Sequence, residues 1–523
     1  MQREVDSLAA TPLDLLIIGG GAYGVCAAWE AARRGLRVAV IDRGDFGAAT
    51  SNNSLQTMHG GLRYLQHLDL RRMRESIRER RHWLQFAPDL IKPVAFLMPT
   101  YGLGLRGPPV MAVALALNDL ISLDRNRGVL AAGHLPRGRQ LSRRAARARC
   151  GELQIADHNG AALWYDGFNQ SPGRLLMRVL RRACAAGAHA ANYCVVEELL
   201  CEEGRIAGAV IRNTLSGAGY KVRSRMVLNA AGPWVDEIAA LAGRSAAQPL
   251  FSPSKAMNLV VRRIPLADAM GVPVVRRTAD TDTVLNKGSL THFIMPWGDY
   301  SLIGTKHLHC QGSGDALRVK AADVSAFLDE LNPTLGPWRL NMADVLAVKC
   351  GLLPAQHGQS ADGDVILQKH ARIVDHEGED GIRGLVSMVG VKWTTARLVA
   401  EQTIELICGQ LKRSAAPVSA TVSVGLASTL TDQGAGTAVV ADSNVTDAQI
   451  VAAARDAMAV TLSDAVWRRT ELWLSQQLDA QALRRVAGLM APGLAWSAED
   501  VDQQVALTQQ SLVESQAWRT ATG

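Results

Sequence analysis

Residues 14–42, DLLIIGGGAYGVCAAWEAARRGLRVAVID, restrict the fold more than any other part of the chain, because they read unaided as strand, glycine turn, helix and strand. Leu15, Leu16, Ile17 and Ile18 form a short apolar run, suited to a parallel strand buried on both faces. Gly19, Gly21 and Gly24 follow at G-x-G-x-x-G spacing. The first allows the tight turn, the second lets a pyrophosphate approach the backbone, and the third lets the helix pack closely on the strand. The pattern predicts a helix from Ala22 to Arg34 with its N-terminal amides aimed at that anion. Gly35 ends it, and Val38 to Ile41 make the second strand. Asp42 then stands where an acidic side chain accepts hydrogen bonds from a ribose 2'-hydroxyl and repels a 2'-phosphate. The unit is a dinucleotide site, and at this point FAD and NAD both satisfy it.

The 523 residues suffice for two to four domains, and a 48% hydrophobic content fills globular cores. The eight cysteines form no C-x-x-C pair and no cluster with histidine at metal-ligand spacing. They read as free thiols filling the interior of a protein in a reducing compartment, with no metal site. The N-terminus MQREVDSLAATP has no signal-peptide core, and no apolar run approaches the ~20 residues that span a bilayer. A cytoplasmic protein is expected. The formal net charge of +7 is concentrated in Arg71 to Arg81 and Arg137 to Arg149. Such arginine runs read first as solvated helix faces and second as surfaces resting on anionic lipid. Few aromatics are interleaved with them, so no nucleic-acid partner is expected.

Past Asp42 the chain becomes small and hydroxylic (Gly47, Ala48, Ala49, Thr50, Ser51), then reads His59, Gly60, Gly61, Leu62, Arg63, Tyr64, Leu65. Small residues let a backbone approach a flat ligand. A-T-S followed by H-G-G-L-R-Y-L resembles the flavin-contacting segment of FAD-dependent glycerol-3-phosphate dehydrogenases, within the D-amino-acid-oxidase-like flavoprotein superfamily. The resemblance implies FAD as cofactor, a segment wrapped around the isoalloxazine at Thr50, Ser51, His59, Gly60 and Gly61, and Arg63 in the substrate pocket. Three later stretches carry it on. Met226 to Val235, MVLNAAGPWV, resembles the family's N-A-T/A-G-P-W strand end, which places Asn229, Ala231 and Gly232 near the pyrophosphate. The P-W...G-T passage returns as Pro296, Trp297, Gly304 and Thr305, followed here by Lys306 and His307. Gly384 to Glu401, GLVSMVGVKWTTARLVAE, resembles G-G-K-x-T-T-Y-R, with Gly390, Lys392, Thr394, Thr395 and Arg397 in place. Helix N-terminal amides and a lysine beside the flavin C2 carbonyl stabilise negative charge on the reduced ring. The lesser alternatives are that Arg63 pairs with a surface acid, that Thr394 is an ordinary N-cap and that Lys392 is a surface charge.

The expected architecture is α/β: a Rossmann-like FAD-binding domain with an inserted antiparallel-sheet substrate domain and a helical C-terminal domain. FAD-binding residues span 13–411, with the substrate-covering part interleaved at about 85–165 and 247–351. A Gly-rich linker occupies 412–446, and 447–523 is helical. Within this frame a basic helix covers Leu65 to Phe86, and Pro88, Pro93, Pro99, Pro108 and Pro109 punctuate the segment beyond it. Val110 to Leu123 reads as a core helix, with insertion into one lipid leaflet as the alternative. Trp164, Tyr165 and Asp166 precede a helix from Ser171 to Gly187, with Arg174 near its start. Cys194 to Leu200, Arg205 to Arg212 and Tyr220 to Arg223 form a hairpin-like insert. Thr291 to Thr305 forms two strands about a Gly298-Asp299 turn. Ala459 to Leu474 resembles a cap helix with a double arginine.

Two departures concern the substrate. The family strand S-G-V-R-P-L aligns with Cys350 to Pro354, which puts Leu353 where an arginine grips the substrate phosphate. The histidine of K-G-S-H falls at Asn258, and an amide takes no proton at neutral pH. Lys349 and Lys306 are the bases near the first loss, His59 and His307 the histidines available for the second. The expected function is oxidation of sn-glycerol 3-phosphate or a related secondary alcohol, with hydride passing to flavin N5. Arg63, Lys392, His59, Asn258 and Thr305 are the candidate catalytic residues. Electrons leave to quinone at the membrane surface, if the family habit holds, or to oxygen. A different hydroxy acid, polyol or amine as substrate, and a flavin-binding protein without activity, are the rival readings.

Overall fold

The computed structural model describes residues 1–104, 107–151, 153, 158–275, 289–310, 318–356, 365–413 and 436–519. The chain divides into two compact units, each assembled from separate stretches. The first takes Met1–Asn52, Ser171–Pro253 and Gln368–Glu514, and the second takes Asn53–Gln170, Ser254–Leu367 and Ser515–Gly523.

The first unit is built on strand Leu13–Ile18, whose six residues are all buried. It pairs in parallel with Val38–Ile41 on one side and with the end of Gly219–Asn229 on the other. Across the sheet the order is Arg372–Asp375, Leu385–Val389, Gly219–Asn229, Leu13–Ile18, Val38–Ile41, His189–Ala191. Arg372–Asp375 alone in that order runs antiparallel to its neighbour. Helix Ala22–Arg33 buries its small residues Ala27, Ala28 and Ala31 completely, and the helices Pro172–Ala185 and Ala396–Gln410 pack against it. Gly219–Asn229 serves two sheets. Its first half pairs antiparallel with Arg205–Asn213, itself paired with Cys194–Glu202, and its second half joins the parallel sheet.

A helical C-terminal part belongs to the same unit, with helices Asp447–Asp456, Ala480–Leu494 and Ala498–Glu514 around a core of Ile450, Leu462, Val466, Leu483, Val486 and Met490. The single helix expected over Ala459 to Leu474 is three short pieces: Leu462–Asp464, a wide π-helical turn Ala465–Arg469, and Leu472–Leu474. The widened turn presents Arg468 and Arg469 together to one buried carboxylate, Asp45, which a regular helix would separate by 100°. Of the expected linker, 414–435 lies outside the described residues.

The second unit carries a largely antiparallel sheet. Among the described residues its order is Val345–Ala355, Ser252–Arg262, Tyr300–His309, Ser289–Trp297, Ala269–Val275, Ile91–Thr100, Gly160–Asn169, Thr57–Met58. Gly298 and Asp299 make the turn between Ser289–Trp297 and Tyr300–His309, as expected. Helix Ala321–Leu335 covers the sheet through Val324, Phe327, Leu328, Leu331 and Leu335. Pro93 and Pro99 lie inside a long strand instead of breaking it. That strand's parallel neighbour touches it only at Phe96 and Leu97, so both prolines fall where no ladder on that side needs their missing N–H.

Two helices differ from expectation. The basic helix starts at Leu70, because the Asp69 carboxylate caps it by accepting from the Arg72 N–H, and Leu62–His67 is a separate 3-10 turn. The helix expected in the core, observed as Pro108–Ile121, buries only Leu115. Val113, Leu117 and Leu120 are 60%, 45% and 63% exposed, at the four- and three-residue spacing that makes one stripe. No helix among the described residues is long and apolar enough to cross a membrane.

Candidate functional site

The first unit brings three turns together at the ends of its parallel strands. Gly19 has φ +106°, and a Cβ there would stand 2.4 Å from the Ala230 carbonyl oxygen. A Cβ on Gly24 would lie 1.8 Å from the Gly19 carbonyl oxygen, so the helix seats on the turn only because both are glycine. Gly21 opens the helix beside Ser51, whose hydroxyl accepts from the Ala22 N–H at 2.9 Å. Ala231 follows the end of its strand, its N–H donating to Asn229 Oδ1 at 3.3 Å, and Gly232 turns the chain at φ +58°. Asn229 is fixed in turn, donating to the Val235 carbonyl at 2.8 Å and the Ser387 hydroxyl at 3.1 Å.

Asp42 accepts from the Gly20 N–H at 2.7 Å and the Gly44 N–H at 2.9 Å, one on each carboxylate oxygen. Each oxygen retains a lone pair for a diol. Burial dominates these two bonds and pushes the carboxyl up to about 6. Thr50 is half-buried beside Ser51.

The third turn, 390–395, is tied to the first by residues the motif reading missed. Tyr23 donates its hydroxyl to the Lys392 carbonyl at 2.9 Å and accepts from the Val391 and Lys392 N–H groups at 3.1 and 3.2 Å. A Cβ on Gly390 would collide with the Tyr23 ring at 2.2 Å. Trp393 donates its indole N–H to the Ser51 carbonyl at 2.8 Å. Thr394 is buried, and the cap position of helix Ala396–Gln410 belongs to Thr395, not to Thr394. Gly19, Gly21, Gly24, Asp42, Ser51, Ala231, Gly390 and Lys392 thus belong to one constellation. Tyr23 occupies a variable position of the glycine motif, where spacing carries no signal. Trp393 had none either.

The second unit holds the other candidates. Gly60 donates its N–H to Asp166 Oδ1 at 2.6 Å, and the Arg80 guanidinium pairs with the same oxygen, both side chains being buried. Trp164 donates to Asp166 Oδ2 at 3.1 Å. A side chain on Gly60 would strike Arg80. Gly61 turns at φ +82° against the Tyr64 ring, and His59 meets that ring edge-on at 5.8 Å. Arg63 is exposed and, among the described residues, joins no ion pair. Asn258 and Thr305 are brought together, the Thr305 hydroxyl donating to Asn258 Oδ1 at 2.8 Å. Lys306 is held by Glu330 at 2.5 Å, and Glu330 is shared with His292 at 3.3 Å. Lys349 is buried with its ammonium 5.1 Å from the Trp297 ring centre.

Residues 14–406 match the family model described as FAD dependent oxidoreductase. The chain belongs to that family. Residues 420–501 match the model described as the C-terminal domain of alpha-glycerophosphate oxidase. The chain is similar to a glycerol-3-phosphate dehydrogenase of Synechocystis, 31% identical over 79% of this chain and 73% of that protein. It is likewise 31% identical to one of Mycobacterium leprae, over 79% of this chain and 66% of the relative. A glycerol-3-phosphate dehydrogenase from Bacillus halodurans, solved complexed with FAD, aligns with a TM-score of 0.70 at 20% identity over 98% of this chain and 97% of that one. That likeness is one of fold.

The enzyme's cofactor is FAD, and the cradle suits it. The glycines clear a path that any Cβ would block, and Asp42 is a hydroxyl acceptor. The first and last turns are linked through Tyr23. Eight thiols are free, as expected, although Cys201 is exposed and not interior filler. No metal-ligand cluster occurs among the described residues.

Proposed function

We propose that the enzyme oxidises a secondary alcohol to the ketone, with sn-glycerol 3-phosphate the first substrate to test by likeness to its relatives. Bound FAD would take the two electrons and the hydrogen leaving the carbinol carbon. Arg63 anchors the anionic or hydroxyl end of the substrate, and the observation that carries this is its exposed guanidinium, in no ion pair among the described residues, on a segment fixed through Gly60. His59, just ahead of it, is our assignment for the proton leaving the hydroxyl, since Asn258 is an amide already engaged by Thr305. Lys392 stabilises charge on the reduced ring. Gly19, Gly21, Gly24, Asp42, Thr50, Ser51, His59, Gly60, Gly61, Ala231, Gly232, Gly390, Lys392 and Thr394 are proposed to hold the cofactor.

Leu353 and Asn258 weaken the case for glycerol 3-phosphate and favour a different polyol phosphate, a hydroxy acid or another secondary alcohol read by other groups. Lys306 is engaged by Glu330, and Lys349 lies on the same strand as Leu353. The experiment is anaerobic bleaching of the yellow protein by a panel of alcohols, hydroxy acids, polyol phosphates and amines. Bleaching by glycerol 3-phosphate supports the first substrate. Bleaching by an amine alone overturns alcohol oxidation, and bleaching by none leaves a flavin-binding protein without this activity.

We further propose delivery of electrons to quinone by an enzyme resting on a membrane surface. The stripe Val113, Leu117, Leu120 supports this, together with the exposed Arg71 and Arg78 of the neighbouring basic helix. Apolar side chains entering the headgroup boundary beside cationic ones favour anionic lipid.

A further inference from the structure

We infer that the Tyr23 hydroxyl is a positioning group for the flavin ring, acting through the turn that carries Lys392; this rests on the proposed role of Lys392. A phenol oxygen has one proton to give and two lone pairs to fill. The proton goes to the Lys392 carbonyl, the oxygen receives the Val391 and Lys392 N–H groups, and the Thr395 hydroxyl of the same turn is a further partner. The ring beneath is packed flush on Gly390, where no side chain fits. Tyr23 itself stands in the first turn of helix Ala22–Arg33, between Gly21 and Gly24. One side chain therefore sets the last turn of the unit against the first, and every backbone polar group it fixes belongs to Lys392 or its predecessor. Burial pushes the phenol's pKa up from its ordinary value, so the group stays protonated and its donor is permanent.

The lysine ammonium acts on the ring only from the right place. A displacement of about 1 Å at a catalytic group costs up to ~100-fold, and removing three hydrogen bonds from a short extended segment permits such a shift. The nucleotide half of the cofactor does not depend on it, because the glycines and Asp42 are held by other bonds.

The test uses the purified holoenzyme and sulfite, an anion whose addition at flavin N5 leaves negative charge on the ring. Dissociation constants for sulfite and the midpoint potential of the bound FAD are measured for wild type, Tyr23→Phe, Lys392→Met and the double variant. The expected result is retained FAD in Tyr23→Phe with sulfite binding weakened about tenfold and a lowered potential. The double variant should be no weaker than Lys392→Met alone, since coupled groups do not add. Wild-type sulfite affinity in Tyr23→Phe, with Lys392→Met weakened, overturns the inference. So do additive effects in the double variant, and so does a folded, colourless Tyr23→Phe. Unchanged sulfite affinity in Lys392→Met overturns the lysine's role itself. If Tyr23→Phe does not fold, Tyr23→Leu, which keeps an apolar side chain and carries no donor or acceptor, is measured in its place against the same outcomes.

Discussion

Asp42 makes the cofactor site sensitive to acid. Its carboxyl is raised to about 6 in the folded protein by burial, so between its ordinary value near 4 and 6 the folded state holds a proton that the unfolded chain releases. Stability from this group therefore falls as pH rises through that window, while its ability to accept two ribose hydrogen bonds rises. The expected outcome is FAD affinity that declines as pH drops below about 6, measured by fluorescence of released flavin; Asp42→Asn should be weaker and flat with pH. At the substrate end, Leu353→Arg and Asn258→His together should strengthen glycerol 3-phosphate turnover about ten- to a hundredfold, the worth of one charge-assisted hydrogen bond. Steady-state kcat/KM is the measurement. The glycines of the nucleotide turn were legible because their spacing encodes backbone geometry. Tyr23 and Trp393 were not, because what they do depends on contacts some 370 and 340 positions away in sequence. A different residue group shows why proximity alone misleads. Asp380, His376 and Ser387 line up at 2.5 and 2.7 Å like a hydrolytic triad. His376 and Ser387 are fully buried, so the relay braces Asn229 and meets no substrate.

Whole elements were read well where one periodicity governs them and poorly where packing decides. The strands Leu13–Ile18 and Val38–Ile41 and helix Ala22–Arg33 lie within a residue or two of their expected limits. The arginine run 71–81 was expected to be a solvated face. Instead Arg80 is buried against Asp166, while Arg74 and Arg81 share Asp124. Charge count carries no information about which arginines find partners on distant strands. Asp166→Asn should release the 59–63 segment and leave Arg80 buried without its carboxylate, at a cost of ~3–5 kcal/mol. Thermal unfolding and KM for the substrate should both worsen. The apolar helix Pro108–Ile121 was expected inside because its composition is that of a core, and composition alone does not state which side the partner is on. Val113→Asp, Leu117→Asp and Leu120→Asp combined should abolish cosedimentation with anionic vesicles and leave bleaching by substrate intact. Unchanged cosedimentation would remove this surface from consideration.

At the scale of the molecule, both units are spliced from stretches far apart in the chain. Asp45 shows what this does for stability. Its buried carboxylate is held by Arg468 and Arg469, while Asn192 donates to it at 3.0 Å. The two guanidiniums hold its pKa well below the usual range against the cost of burial. Such a group stabilises the fold above its ordinary pKa, and the contribution is lost as pH falls through and below about 4. Asp45→Ala should lower stability by ~3–5 kcal/mol, because the buried Arg469 loses its carboxylate and Arg468 keeps only Asp464; chemical denaturation at pH 7 and again at pH 3.5 checks both size and pH dependence. The double arginine was visible in sequence, but its partner, more than 400 positions earlier, was not.

The same carboxylate waits long for its partners during synthesis. It lies three residues past Asp42, and its two cations leave the ribosome 423 and 424 residues after it. The pairing therefore closes only after those arginines have emerged, long after the glycine turn itself has been made.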